Sequence, residues 1–381
     1  MALMGQSVVV IGAGIAGLAV ARALALHGAD VTVLEQARQL QDVGAGIQIS
    51  PNGAIVLRAL GLGAALDAAG LANRGIVLRN SAGAALLNMD LAGQDYRLLH
   101  RADLTGLLAD GAQQAGVTLR FATEVKSVGP GWVALQDGKV LNAALIVGAD
   151  GVKSRARGVL NGPAAPFYTG QVAWRAMLPG DGGAALAEVF MGPGRHLVSY
   201  PLRGGALRNI VAIEERKDWA AEGWSNNDNP DHLRAAFTGF GPRVQTWLAQ
   251  VQDVGLWGLF RHPVARDWYG DRLVLLGDAA HPTLPFLAQG ANMALEDAWV
   301  LADTLARNLD QAKALATYQT ARKDRTTRIV EAANSAAKIY HAAGPRRIAL
   351  QTAMRAAAIV TPARPLARFD WIYRENVTEA P

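Results

Sequence analysis

The segment VVVIGAGIAGLAVARALALHGADVTVLE, from Val8 to Glu35, leaves few options for the fold of this chain. Val8 to Ile11 is a run of β-branched residues that reads as a fully buried strand. Gly12, Gly14 and Gly17 turn the chain into a helix expected to end at His27-Gly28, where glycine supplies a C-terminal cap. A second buried strand, Val31 to Leu34, ends on the acid Glu35. Each glycine has a task when a dinucleotide sits on the turn. Gly12 permits the tight bend, Gly14 lets the backbone approach a pyrophosphate, and Gly17 lets helix and strand pack closely. The N–H groups at the helix start, with Ala13 and Ala16 in the same loop, face the phosphates. Glu35, followed by Gln36, stands where a ribose presents its hydroxyls. The pattern implies an α/β fold around an adenine dinucleotide, with a glycine turn that binds nothing as the alternative. NAD and FAD are both open at this point.

With 381 residues the chain has room for two domains, and 51% hydrophobic against 18% charged residues is a globular composition. Lys plus Arg number 37 against 32 acids, and no block of like charge carries the excess of +5. Nucleic-acid binding requires a basic stripe with aromatic stacking partners, which is not found; small anionic molecules fit the balance better. The absence of cysteine excludes disulfides, a thiolate nucleophile and thiolate-held metal. The seven histidines show no ligand spacing, so no metal site is expected. The apolar start lacks a basic leader and is interrupted by glycines, unlike a secretory signal. No other stretch reaches the roughly 18 apolar residues of a membrane span. A cytoplasmic protein without a membrane partner is expected.

GAGIQISPN, from Gly44 to Asn52, combines small flexible residues around Gly46 with a short strand and a Pro-Asn turn, as backbone passing close to a ligand would. A helix is expected over Gly53 to Leu60, a hairpin over Gly75 to Leu91, and a helix from His100. The apolar run Ala143 to Val147 ends in Gly148-Ala149-Asp150-Gly151, aiming backbone and carboxylate beyond a sheet edge. From Pro166 to Val264 alternating segments predict an antiparallel sheet, with Ser225 to Asp231 as a surface loop and two short covering helices. A buried strand, Arg272 to Leu276, then leads into Gly277-Asp278-Ala279-Ala280-His281-Pro282. The loop TLPFLAQGAN enters a helix, a second long helix runs from Asp310 to about His341, and Gly344-Pro345 breaks it before a basic helix and the tail FDWIY.

GAGIAG at 12–17, GADGVKSRAR at 148–157 and LLGDAAHP at 275–282 stand in this order. The set resembles the single-component flavoprotein aromatic hydroxylases, the family of 4-hydroxybenzoate and salicylate hydroxylases. GAGIQISPN, HRADL, AWRAMLP, HLVSYP, PFLAQGANMALEDA and DWIY are similar to its salicylate, 3-hydroxybenzoate and 6-hydroxynicotinate hydroxylase branch. The resemblance implies non-covalent FAD on the first motif, and NADH or NADPH as a co-substrate without a glycine fingerprint of its own. It implies a Rossmann-like FAD-binding domain of the glutathione-reductase type over 1–74, 98–165 and 265–344. An inserted, mainly antiparallel substrate domain takes 75–97 and 166–264, and a C-terminal helix and tail take 345–381. By the same resemblance Asp150 serves FAD or NAD(P)H, Gly277 and Asp278 meet the ribityl and pyrophosphate region, and Arg101 and the backbone near Val125 add FAD contacts. The helix start at Gly290, Ala291 and Asn292 aims its positive end at the flavin's pyrimidine edge. Ser154 and Arg157 are as well explained by local salt bridging.

The activity implied is hydroxylation of a phenolic or hydroxylated heteroaromatic acid, with NAD(P)H and O2, through a flavin C4a-hydroperoxide. Such a site needs a dry pocket, groups that orient the ring and a route for the phenolic proton. Pro285 resembles the family's proline beside the flavin. His196 and Tyr200, four apart, fall on one face of a strand. In the resembling branch they bind the substrate and deprotonate its hydroxyl, and a histidine base suits neutral pH; a structural histidine satisfied by backbone is the alternative. Gln48 stands where some hydroxynicotinate hydroxylases carry histidine; a neutral amide orients but does not exchange protons, which puts 6-hydroxynicotinate in doubt. Arg175 is either a fork for a substrate carboxylate or part of a structural ion pair, and His281 is expected to fix its loop. Alternatives on the same scaffold are epoxidation, N-hydroxylation or oxidation of a larger polyketide-like substrate, and, in another class, a catalytically silent flavin-binding protein. A homodimer is compatible with the resemblance.

Overall fold

The computed structural model describes residues 2–40, 45–217, 227–360 and 364–379; Gly44, Ser225 and Asn226 lie outside them. Two large sheets organise the chain. The first has six strands in the order Tyr269–Gly270, Leu273–Leu275, Leu145–Gly148, Ser7–Ile11, Asp30–Leu34 and Thr118–Arg120. All its pairs are parallel except the outermost one, Tyr269–Gly270 with Leu273–Leu275. Strands buried on both faces need no polar alternation, which is why VVVI and ALIV read as continuous apolar runs. The helices Ile15–Leu26, Arg101–Gln114, Gly290–Arg307 and Gln311–Tyr340 contribute to its large core.

The second sheet has eight strands, in the order Asn227–Asp228, Val254–Arg261, Phe167–Pro179, Leu207–Glu215, Arg195–Leu202, Leu186–Gly192, Gly75–Asn80 and Ala85–Asp90. It is antiparallel apart from the pairing of Leu186–Gly192 with Gly75–Asn80. Alternation sends its side chains to two cores. Trp174, Leu197 and Ala212 meet Leu233, Val244 and Trp247 of the helices Pro230–Ala236 and Pro242–Ala249. Ala173 and Ile213, on the opposite face, pack against Leu284, Phe286, Ala336 and Ala337. That second face is turned toward the loop after the parallel sheet.

Several local expectations are corrected. Pro51-Asn52 is not a turn: Pro51 opens the helix Pro51–Ala59, because its fixed φ and missing N–H suit the first helical position. Asn227–Asp228 is a short edge strand paired with Gly255 and Val254, not a loop, and Pro230 starts a helix at once. Within TLPFLAQGAN, Pro285–Leu287 forms a single 3-10 turn. Among the described residues no helix is long and apolar enough to cross a membrane, and no cluster of three or more His, Asp or Glu is placed to hold a metal.

Candidate active site

The three motifs meet at one edge of the parallel sheet. Gly12 lies at φ +102°, and a Cβ there would stand 2.6 Å from the Ala149 carbonyl oxygen. A Cβ on Gly17 would sit 1.9 Å from the Gly12 carbonyl oxygen, so helix and turn touch backbone to backbone. Gly277, at φ +60°, packs against Ala16, which brings the Gly-Asp loop onto the first helix. A Cβ on Gly14 would meet no protein atom within 4 Å, so the turn is open on the side where a pyrophosphate would lie. Glu35 accepts the Ala13 N–H at 2.9 Å and the Ala37 N–H at 2.8 Å, one with each oxygen. It braces the glycine loop and keeps lone pairs for a ribose. Gln36 is exposed beside it, and Val125, whose side chain is buried, starts a strand nearby.

Asp150 accepts from the Ser154 hydroxyl at 2.5 Å and from the Arg155 N–H at 2.8 Å. It thereby shapes the start of the helix Arg155–Asn161. Arg157 bonds the carbonyls of Ala279, Ala280 and Pro263, so it clamps the Gly-Asp loop through carbonyl oxygens. Asp278 is walled by protein yet opens onto the cleft. Burial raises its carboxyl above the usual range, opposed by His281 and Arg101. Arg101 is held by its N–H to the Ala45 carbonyl; burial lowers its guanidinium, and Asp278 opposes that shift. An acid and a cation thus border the same cleft. With the open glycine turn and the braced Glu35, these residues fit FAD: N–H groups for phosphates, and carboxylates for ribose and ribityl hydroxyls.

The helix beginning at Gly290 is fixed by a buried polar network that the sequence did not disclose. Asn292 accepts the Ser50 N–H at 3.0 Å and donates to the carbonyls of Ala288 and Gln48 at 2.7 and 3.2 Å. Its side chain is therefore structural, and only the backbone of Gly290, Ala291 and Asn292 is left to face a cofactor. Asn52 donates to Glu296 at 2.6 Å and to Gln289 at 3.2 Å. Glu296 and Asp297 are in turn held by Arg322, at 2.5 and 2.9 Å. His281 does fix its loop, with Nε2 2.5 Å from Asp297. Two adjacent acids inside the helix run ALEDAWVL were the available sequence signal.

Above the cleft, the register puts Arg175, Val211 and Val198 in one row across the sheet, with Tyr200 and Asn209 on one side and His196 and Ile213 on the other. Arg175, His196 and Tyr200 therefore share a face. Burial pulls the Arg175 guanidinium down to about 10, with Arg101 adding repulsion, and its carbon lies 5.0 Å from the Trp257 ring centre. Tyr200 is buried against Gly46, where a Cβ would stand 2.6 Å from its ring; Gly46 also donates its N–H to Asn209 at 2.8 Å. The small residue at 46 thus serves Tyr200 as much as any cofactor. Gln48 bonds Tyr200 and accepts from the Tyr96 hydroxyl at 2.8 Å, and Tyr96 meets Tyr373 of the tail edge-on at 6.0 Å. Burial raises both Tyr200 and Tyr96, keeping them as neutral donors.

His196 is fully buried and is not satisfied by backbone. Its Nδ1 lies 2.7 Å from His341 Nε2, and its Nε2 has no hydrogen-bond partner among the described residues. Phe286 and Tyr340 flank the ring at 5.2 and 5.1 Å. Pro285, half-buried, begins the turn that carries Phe286. His341 and Tyr96 reach this face without any local pattern that marks them, because each arrives from a remote part of the chain, whereas Tyr373 lies in the DWIY tail that the sequence did single out.

Comparison with known proteins adds to this geometry. Residues 6–333 match the family described as FAD binding domain. The 3-amino-4-hydroxybenzoate 2-monooxygenase PtmB3 of Streptomyces platensis is 36% identical over 383 residues, covering 96% of this chain and 95% of the relative. A 3-hydroxybenzoate 6-hydroxylase of Polaromonas naphthalenivorans (strain CJ2) is 34% identical over 392 residues, covering 97% and 96%. Klebsiella pneumoniae HpxO, solved with FAD and uric acid, superposes with a TM-score of 0.82 at 27% identity, covering 92% of this chain and 93% of that one.

Proposed function

The chain belongs to the FAD binding domain family of flavoprotein hydroxylases, and from that footing we propose that it is an FAD-dependent aromatic monooxygenase acting on a phenolic or hydroxylated heteroaromatic acid. NADH or NADPH is the electron donor. The observation that carries the reading is the alignment of one cofactor cleft, built by all three motifs, beneath a sheet face bearing Arg175, Tyr200 and His196. Bound FAD supplies the redox chemistry, taking electrons from NAD(P)H and transferring one oxygen atom of O2 to the ring. In this reading 75–97 and 166–264 form the substrate-binding part and the remainder through 344 holds the cofactor.

The protein's own groups bind, orient and move a proton. Tyr200 and His196 lie four residues apart on one face of their strand, and in this reading their side chains address different groups of the bound aromatic acid. Near Tyr200 the neighbouring cations Arg175 and Arg101 favour a carboxylate, whose arrival offsets their mutual repulsion. His196 Nε2 accepts the proton of the ring hydroxyl. Phe286 and Tyr340 keep water from that histidine. The relatives' names, which specify hydroxylated benzoates, have both groups.

The decisive experiment records the flavin spectrum of the purified protein, then NADH and NADPH oxidation against a panel of hydroxyaromatic acids, with product and H2O2 measured together. Substrate-stimulated oxidation with one oxygen atom added to the ring is expected. A flavin-loaded protein inert toward both nicotinamides across the panel defeats the proposal.

A further inference from the structure

His341 ends the long helix Gln311–Tyr340 as its C-terminal cap residue, 145 positions beyond His196. Its Nε2 faces His196 Nδ1 at 2.7 Å, and its own Nδ1 lies 2.9 Å from Glu215 Oε1. Glu215 is at the end of the strand Leu207–Glu215, with more than half of its side chain exposed. It lines a cleft of about 840 Å³ bordered also by Arg216, Lys217, Arg261 and Lys338. A continuous line of hydrogen bonds therefore runs from the buried sheet face to the exposed carboxylate of Glu215 in an open, cation-lined cleft.

The directions of those bonds follow from chemistry. An ionised carboxylate only accepts, so Nδ1 of His341 carries the proton it shares with Glu215. Burial lowers both histidines, His196 well below its ordinary value, so both are neutral near pH 7. A neutral imidazole has one donor and one acceptor; His341 Nε2 is then an acceptor, and His196 Nδ1 must donate to it. This leaves His196 Nε2 as a lone pair in a fully buried position, with no partner among the described residues. Buried acceptors are costly to leave unmatched, and a substrate O–H is the donor that matches this one.

We propose that His341 and Glu215 are relay residues that set the tautomer of His196 and carry the substrate's hydroxyl proton to solvent. Resting on the hydroxylase reading above, the step balances without any added reactant. The O–H bond of the ring hydroxyl breaks as its proton joins His196 Nε2. The Nδ1 proton of His196 passes to His341 Nε2, and the Nδ1 proton of His341 passes to Glu215 and on to water. Both imidazoles end neutral in the opposite tautomer, and the ring is left as the electron-rich phenolate. Groups facing the pair are Glu215 and Arg195 from the sheet, Tyr340 from the same helix and the Phe286 ring from the loop. Arg195 and Arg216 are themselves held by Glu214 at 3.2 and 3.0 Å, which leaves Glu215 to His341.

The test uses the FAD-loaded enzyme with a hydroxyaromatic acid that the unaltered protein turns over, and the variants Glu215→Gln and His341→Gln. Ionisation of the bound ring is followed by absorbance against pH, and coupling by product against H2O2. Both variants are expected to raise the apparent pKa of the bound hydroxyl by about one unit and to lower product yield near neutrality by roughly ten-fold, recovering at higher pH with flavin content unchanged. An unaltered pH profile and yield in the Glu215→Gln protein, whose substitution is at the exposed end, overturns the relay and leaves the hydroxylase reading standing. Failure of the unaltered protein to oxygenate any acid of the panel overturns that reading instead. Nitrogen-15 spectra of the imidazoles decide the relay in either case: both rings should carry Nδ1–H, and an Nε2–H tautomer at His196 rejects it.

Discussion

Gly14 and Gly17 are three residues apart and answer to different constraints. The backbone at Gly14 is extended, at φ −80° and ψ −177°, a conformation open to any residue, and nothing in the protein crowds a Cβ there. Gly17 has a backbone oxygen 1.9 Å from where its Cβ would be. Gly17→Ala should therefore cost about 1–3 kcal/mol of folding stability, since backbone rather than a flexible side chain must move. Gly14→Ala should leave the FAD-free protein within about 0.5 kcal/mol of the parent, as surface changes do, while weakening FAD binding. Denaturant unfolding of both apoproteins, with FAD titration by fluorescence, checks the contrast. Equal apoprotein stabilities would show that the close approach at Gly17 is readily relieved.

Among elements, the helices Gly290–Arg307 and Gln311–Tyr340 are joined by a set of charges in which Arg322, Glu296 and Asp297 are buried and Arg325 is partly exposed. Arg322 pairs with Glu296 and Asp297, and Arg325 adds a second cation to Glu296 at 2.8 Å. Acting against burial, His281 and Arg322 hold Asp297 down to about 2, and Arg322 and Arg325 hold Glu296 below the usual carboxylate range. Removing the shared cation leaves Glu296 to Arg325 alone and Asp297 to His281 alone among the charged partners. Arg322→Met is expected to destabilise the protein by about 3–5 kcal/mol, with the flavin spectrum altered because the same acids reach Asn52 and the Gly277 N–H. Thermal unfolding of the holoprotein measures the first effect; a loss under about 1 kcal/mol would mean that Arg325 or water takes over the role. Because both acids have depressed pKa values, their contribution is present above the ordinary carboxylate range and is lost as pH falls through their native values, about 2 for Asp297.

For the molecule as a whole, the two sheets are connected by contacts that close late in sequence. His196 of the antiparallel sheet meets His341 at the end of a helix that packs on the parallel one. Both are buried with lowered pKa values, so the unfolded chain binds more protons than the native one below about pH 6.5. Stability should accordingly fall as pH drops from 7 to 5, by up to about 1.4 kcal/mol per unit for each histidine. Urea midpoints across that range test this, and a His196→Gln protein with the same slope would exclude His196 as a source. The tail closes the structure: Ile372 is 1% exposed, Arg325 donates to the carbonyls of Trp371 and Ile372, and Arg328 lies over the Trp371 ring at 3.9 Å. Ile372→Ala should cost about 2–5 kcal/mol. Because Tyr373 touches Tyr96, the same variant should raise KM for the aromatic acid more than it lowers flavin content, as substrate-saturation kinetics would show.

The parallel sheet, the glycine turn, the acid at its second strand and the change to an antiparallel texture after Pro166 were legible because each depends on neighbours within a few residues. Strand runs, helix caps and a Cβ-free turn are local physics, and the motifs carried the cofactor with them. The face shared by His196 and Tyr200 was legible for the same reason, being a period of two along one strand. Pairing decided the rest. Whether Arg175 joins that face depends on register with the strand Leu207–Glu215, and the service of Gly46 to Tyr200 depends on a contact across 154 positions (200 − 46). The partner of His196 arrives from the end of a helix, since a buried polar atom takes its hydrogen bond from whatever the fold brings within about 3 Å, at any sequence distance.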